Sequence, residues 1–190
     1  IPTGMFRRVV NGEDTVLVDL AVTSLVDNTS YSNYELIVVI DSKSDLESAQ
    51  YLHDLAPRGR LKVVKDDRKF NFAMACNLGA AHASGDVLLF HNDDTEIIQP
   101  DWIERLLMFA TQDDIGVVGV KLVYADGCIN HAGIWSKEGH VGHRYRGYPP
   151  NHPGYLAAMT CAQNSLASTG ACIAIAKLLR ISWKRSTLPR

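Results

Sequence analysis

No stretch of this 190-residue sequence reaches the ~18 consecutive apolar residues that a helix needs to cross a bilayer, and no signal peptide opens it. Cysteine is scarce. Cys76, Cys128, Cys161 and Cys172 stand far apart with no CxxC pair, which argues against a disulfide framework and for reduced, mostly buried thiols. No GxGxxG follows an apolar strand, so the dinucleotide-binding fingerprint is missing. Internal repeats and low-complexity tracts are absent as well. A net charge of -2 provides no whole-chain attraction for nucleic acid or an anionic membrane. One end lacks acids altogether: none follows Glu138, whereas Arg144, Arg146, Lys177, Arg180, Lys184, Arg185 and Arg190 do.

What is present is an ordinary globular balance, 46% hydrophobic and 21% charged, in a chain long enough for one domain. Its patterning alternates strand and helix, which predicts an α/β fold with a mainly parallel central sheet flanked by helices. Ile1-Pro2-Thr3 reads as the tail of a strand. Apolar residues at Val16, Leu17, Leu20, Ala21 and Leu25 predict a helix over 15–27, interrupted at Ser24. The run from Glu35 to Ile40 has the continuous apolar character of a buried parallel strand and ends abruptly at Asp41. A helix near 46–55, a strand over 61–64 and a helix over 71–83 stopped by Gly85 follow. Val87 to Phe90 is the most apolar strand, and Pro100-Asp101-Trp102 opens a helix to about Thr111. Ala125-Asp126-Gly127 suggests a hairpin turn. Residues 137–154, dense in Gly, Pro, His and Arg, read as a long functional loop, and patterning is weak from Leu156 onward.

Chemistry gathers where strands end in carboxylates, at Asp41 and at Asn92-Asp93-Asp94, because open α/β sheets present ligand-binding residues at the carboxyl ends of their strands. Adjacent acids repel one another and invite a hard cation such as Mg²⁺ or Mn²⁺, held by one or two carboxylates together with substrate phosphates. A plain solvated turn is the competing reading, since Asn and Asp favour turns for backbone reasons alone. Asn71 and Asn77 have a similar duality. Asn71 is a natural helix N-cap and Asn77 an ordinary amide, or each borders a ligand site. Lys65, Asp67, Arg68 and Lys69 read as a solvated loop from which Arg68 reaches a phosphate if any residue does.

In order along the chain stand IPT at Ile1, YELIVVIDSKSD from Tyr34, FNFAMACNLGAAHASGDVLLFHNDDTEI from Phe70, PDWIERL from Pro100, VGVKLVYADGCINHAGI from Val118 and STGAC from Ser168. Together they resemble the GT-A-fold glycosyltransferases of family 2, in particular their rhamnosyltransferase-like, O-antigen-type members. The resemblance implies a family domain over residues 1–177, incomplete at both ends, followed by a non-matching tail over 178–190. It implies transfer of a sugar, with inversion, from a nucleotide-diphospho-sugar donor to a hydroxyl on a glycan or lipid-linked acceptor, in the cytoplasm or at a membrane surface. By the same match Pro2, Thr3, Asp41, Ser42, Asn71, Asn77 and Asp93 border the donor, with Ser44 and Asp45 in the loop after Asp41. Asp94 and Asp93 match the metal-binding DxD motif, with Asn92 in place of its first acid. His131, His143, Arg144 and Arg146, with Gly170 and Ala171, match the diphosphate and acceptor side.

The histidines His131, His140, His143 and His152 do not make a convincing zinc set, because no paired cysteine or helical HxxxH accompanies them. The catalytic base is a different matter. Inverting transfer needs a carboxylate near the acceptor hydroxyl, and the family's base follows the Gly-Ala-Cys segment, where no acid is present here. The resemblance therefore places that base beyond Arg190. The alternative is a nucleotide-sugar-binding domain without turnover. A sugar nucleotidyltransferase is disfavoured because Gly4-Met5-Phe6-Arg7-Arg8 poorly imitates its Gly-rich basic loop.

Overall fold

The computed structural model describes residues 1–177 except 11, 42, 45–48 and 56–58. The expected tail over 178–190 therefore lies outside the described residues, as do Ser42, Asp45 and the start of the expected helix near 46–55. In chain order the elements are β1 (Pro2–Thr3), β2 (Arg7–Val10), β3 (Glu13–Val16), α1 (Leu17–Asp27), β4 (Leu36–Ile40), β5 (Leu61–Lys65), α2 (Phe72–His82) and β6 (Val87–His91). There follow α3 (Trp102–Ala110), β7 (Val118–Gly119), β8 (Leu122–Val123), β9 (Ile129–His131), β10 (Ile134–Lys137), β11 (His140–His143) and β12 (Cys172–Ala176). Among the described residues between β4 and β5 stands a short 3-10 turn, Gln50–Asp54.

The expected parallel sheet is present as the 3-stranded order β1-β4-β5, with Thr3 opposite Ile40 and Ile40 opposite Lys65. Val38, Val39 and Ile40 are all buried, as a strand covered on both faces requires. The acid-bearing strand β6 belongs to a second, antiparallel sheet of order β6-β12-β7, with Cys172 opposite His91. The expected α/β unit, a parallel sheet flanked by helices, is thus present with this antiparallel sheet beside it. Among the described residues no ladder joins the two sheets, and a cavity of about 550 Å³ between them is lined by Ile37 and Val39 on one side and Leu88 and Phe90 on the other.

Helices cover the sheets for reasons visible in their side chains. Helix α1 buries Val18, Val22 and Leu25 along one stripe. Ser24, which interrupts that pattern in the sequence, is buried too, and its hydroxyl accepts the Ile97 N–H at 2.5 Å, tying α1 to the segment after β6. Helix α2 approaches β4 closely because Ala75 and Gly79 share its inner face; a Cβ at Gly79 would stand 3.2 Å from the Val39 side chain. Helix α3 buries Trp102, Ile103, Leu106 and Ala110, and the Trp102 indole donates to Thr29 Oγ1 at 2.9 Å.

Some boundaries differ from expectation. Residues 15 and 16 are strand, not helix, because residues 7–16 form the β2–β3 hairpin, turned at Gly12 with φ +88 and clasped by the Arg7–Asp14 ion pair at 2.8 Å. Helix α2 ends on Ala83 in extended conformation. Gly85 is not its left-handed cap, and its N–H instead donates to Glu35 Oε1 at 3.3 Å. The expected loop over 137–154 begins as a strand pair, β10 with β11, whose turn residues Glu138 and Gly139 have φ of 51 and 81. The weakly patterned C-terminal stretch contributes β12, the central strand of the second sheet. Of the four cysteines only Cys172 is buried, while Cys76 and Cys128 are half-buried and Cys161 is exposed.

Candidate active site

The carboxyl ends of β1 and β6 meet at a pocket of about 380 Å³. Its floor is Pro2 with Asn92, Asp93 and Asp94 from the turn after β6. Asp93 is half-buried and Asp94 exposed. Burial pushes the Asp93 carboxyl up, and the neighbouring Asp94 charge pushes it the same way, against the hydrogen bond from the Thr3 hydroxyl. Thr3 itself is buried, and its Oγ1 also accepts the Met5 N–H at 2.9 Å, so the ends of β1 and β6 share one polar joint. Asn92 is held by its backbone: its N–H donates to Ala171 O at 2.8 Å, and its carbonyl accepts from Thr95 Oγ1 at 2.9 Å. Its side-chain Oδ1 is buried with no hydrogen-bond partner.

These donors suit a hard cation. Adjacent carboxylates plus an orphaned amide oxygen form an oxygen-rich corner with excess negative charge. Among the described residues no group of three or more His, Cys, Asp or Glu stands ready to enclose a metal. A divalent ion here would be of the kind that one or two carboxylates share with phosphate oxygens.

The other expected residues lie outside this pocket. Asp41 ends β4 but is 8% exposed, and its Oδ1 accepts Lys43 N–H, Ser44 N–H and the Ser44 hydroxyl at 3.1, 3.0 and 2.8 Å. It caps its own turn and does not line the pocket with Asp93 and Asp94. Asn71 is the N-cap of α2, its Oδ1 accepting Met74 N–H at 3.0 Å. Asn77 is exposed on the same helix and lines neither cavity. Arg68 is engaged by Asp66, with bonds of 2.6 and 2.8 Å, rather than extended toward a phosphate.

His131 is 0% exposed. Its Nε2 faces Gly133 N–H at 3.2 Å, Thr169 N–H at 3.3 Å and the Ser168 hydroxyl at 3.3 Å, and its Nδ1 lies 3.1 Å from His143 Nδ1. Both ring nitrogens are used within the protein, and His131 lines neither cavity. The backbone N–H groups make Nε2 an acceptor. Nδ1 then carries the proton and donates to His143, whose own proton sits on Nε2. Burial, and then His143, push His131 down to about 4. Arg144 forms no ion pair among the described residues, while Arg146 donates to the Tyr124 hydroxyl at 2.8 Å. Gly170 and Ala171 lie between the histidine pair and the acids, through the Ala171 carbonyl that holds Asn92.

The pocket's upper wall was not foreseen. It comprises Phe6, Arg7 and Arg8 from the β2–β3 hairpin with Phe70 and Phe72 from the start of α2. The available signal was an aromatic pair flanking Asn71 and a basic pair after the first strand, each away from the acidic motif in sequence.

A family profile described as Glycosyl transferase family 2 matches residues 14–174. The chain belongs to glycosyl transferase family 2. Within this family it is similar to the uncharacterized protein y4gI of Sinorhizobium fredii, at 36% identity over 81% of this chain and 17% of that protein. It is similar to the O-antigen biosynthesis protein RfbC of Myxococcus xanthus, at 31% identity over 83% of this chain and 12% of that one. A more distant relative is the inactive polypeptide N-acetylgalactosaminyltransferase-like protein 5 of Macaca fascicularis, at 28% identity over 62% of this chain and 27% of that protein. The chain thus spans a minor part of the length of each. Family 2 membership makes the α/β unit a glycosyltransferase domain, with its pocket at the strand ends where such sheets bind ligands.

Proposed function

We propose that this family 2 domain binds a nucleotide-diphospho-sugar in the pocket over Asp93 and Asp94 and serves its transfer, with inversion, to a hydroxyl of a glycan or lipid-linked acceptor. The observation that carries the reading is the adjacent carboxylate pair at the end of β6, lining a 380 Å³ pocket with the Asp93 carboxyl pushed up. Asp94, with Asp93, would hold Mg²⁺ or Mn²⁺, which supplies charge neutralisation at the departing diphosphate. Pro2 shapes the floor beside the donor, with Thr3 behind it bonded to Asp93. Asp41 stabilises the turn at the neighbouring strand end, with Ser42 beside it in sequence. The similarity to an O-antigen biosynthesis protein favours cell-envelope polysaccharide as the product class, made on the cytoplasmic side and, for a lipid-linked acceptor, at the membrane surface.

Calorimetry with UDP and dTDP, with and without Mn²⁺, tests this. Binding should require the metal and be lost in Asp94→Ala; metal-dependent affinity unchanged in that variant would refute the assignment. A second reading is a donor-binding unit without turnover. The specific observation behind it is that Asp93 and Asp94 are the only acids lining the pocket among the described residues, leaving no further carboxylate there to accept the acceptor's proton. Labelled-donor transfer assays on a panel of acceptors separate the two readings.

A further inference from the structure

The β2–β3 hairpin stands over the acidic floor with features that folding alone does not require. Phe6 is a large aromatic left 55% exposed, yet its position is fixed. Met5, a non-glycine residue at φ 54, turns the chain into the hairpin, a conformation L-residues adopt only at a cost. Gly4 leaves room for the Phe6 ring, since a Cβ there would stand 2.8 Å from two ring carbons. The Phe6 carbonyl accepts Leu17 N–H at 2.9 Å, joining the hairpin's base to the start of α1. On the same wall the Phe6 ring meets Phe70 edge-on, with centroids 6.4 Å apart.

The hairpin's paired arginines differ in a way that points to a ligand. Arg7 is satisfied within the hairpin, donating to Asp14 Oδ2 at 2.9 Å and to the Asp14 carbonyl at 3.2 Å. Arg8 lines the same pocket, is exposed, and forms no ion pair or hydrogen bond among the described residues. Among the described residues it is the one unpaired cation lining a pocket that also holds a carboxylate pair. A ligand that satisfies both sides carries several negative oxygens, shared between a cation on the acids and a guanidinium. That is a diphosphate attached to a ring that packs against the phenylalanine wall.

We infer that the hairpin is a donor clamp in which Arg8 binds the diphosphate of the nucleotide sugar from the side opposite Asp93 and Asp94, while Phe6 and Phe70 wall its nucleoside. The inference rests on the donor reading above and adds to it the residues that grip the anion. Because the guanidinium fork donates to several phosphate oxygens at once, lysine is an incomplete substitute.

The test measures binding of UDP, uridine and inorganic pyrophosphate with Mn²⁺ to the wild-type chain, Arg8→Ala, Arg8→Lys and Asp94→Ala. Arg8 has no structural partner, so Arg8→Ala should melt like the wild type. Its affinity for UDP and for pyrophosphate should fall about ten- to a hundredfold, the weight of a charge-assisted hydrogen bond. Uridine affinity should hold, and Arg8→Lys should recover part of the loss. Equal UDP affinity in Arg8→Ala and wild type, while Asp94→Ala loses binding, overturns the clamp and leaves the donor reading standing. Equal losses for uridine and UDP also overturn it, since the effect would then lie outside the phosphates. If the wild type binds neither UDP nor dTDP, the donor reading falls and the clamp with it.

Discussion

Acid should loosen this domain well above the pH at which carboxylates titrate, because His131 and His91 are enclosed in neutral form. For His131 the reason is geometric. A proton added to Nε2 would face the N–H groups of Gly133 and Thr169. His91, 2% exposed, lies against Trp102 with ring centroids 5.9 Å apart and has Thr95 Oγ1 3.2 Å from Nε2; burial first of all pushes it down to about 4. Each histidine therefore has a folded pKa near 4 against 6.5 in the unfolded chain. With the folded value depressed, the unfolded chain binds more protons as pH falls. The stability is fully present above 6.5 and is lost as pH drops through 6.5 toward about 4.

Integrating between about pH 7 and pH 5 gives a loss on the order of 2 kcal/mol for each histidine, large against a typical domain stability of about 5–15 kcal/mol. The assay is urea unfolding at both pH values for the wild type, His131→Gln and His91→Gln. The Ile1 amine titrates partly in this window, pushed down to about 6 by burial; it cancels in the His131→Gln comparison, whereas its charge also pushes His91 down, so His91→Gln reads the two groups together. His131→Gln should be weaker than wild type at pH 7, because one amide oxygen cannot satisfy every donor around Nε2, at about 1–3 kcal/mol per orphaned group. It should nevertheless lose about 2 kcal/mol less than the wild type on going to pH 5. An identical acid-induced loss in wild type and both variants would refute the reasoning. So would nitrogen-detected NMR that finds the His131 proton on Nε2.

Other expectations follow from single contacts. Because burial and Asp94 push the Asp93 carboxyl up, Mn²⁺ binding should release protons and strengthen with rising pH; calorimetry in buffers of different ionisation enthalpy reads that release, and Asp93→Asn should abolish it. Gly119→Ala should destabilise by about 1–3 kcal/mol, since its Cβ would collide with the Ser168 side chain, and Ser168→Gly in the same protein should restore much of the loss, as denaturant midpoints would report. Asn71→Ala should cost about 1 kcal/mol in thermal unfolding by removing the cap on Met74 N–H.

Strand β4 was legible in the sequence because a strand buried on both faces has to be apolar throughout, and the acids after β6 stood out because they directly end the most apolar strand. The β2–β3 hairpin was not. Its strands are mostly exposed and carry no alternating apolar face, so Thr15 and Val16 read as the start of α1. Strand β12 was equally silent: Ala-rich and only five residues long, it owes its place to pairing with strands far away in sequence. The histidines misled for a related reason. The loop read over 137–154 carries no sign in the sequence that His143 packs on His131, which tertiary contacts seal against Thr169 as well.

The neutrality of those histidines bears on the acids. His91 immediately precedes the carboxylate turn, and His131 holds the 168–171 segment, whose Ala171 carbonyl fixes Asn92. An imidazolium at either place would attract Asp93 and Asp94 from behind and compete with a cation in the pocket. Burial prevents this at neutral pH, so the negative potential of the acid pair is directed into the pocket rather than being spent inside the protein. Of the positive groups that line that pocket, Arg7 is matched by Asp14, which leaves Arg8 as the sole unmatched charge opposite the acids among the described residues. Metal affinity should accordingly fall below about pH 5 faster than carboxylate protonation alone accounts for, because an imidazolium then forms behind the pair. Mn²⁺ titrations of His91→Gln across that range isolate the contribution, and a pH profile identical to the wild type's would show that His91 remains neutral or too well screened to matter.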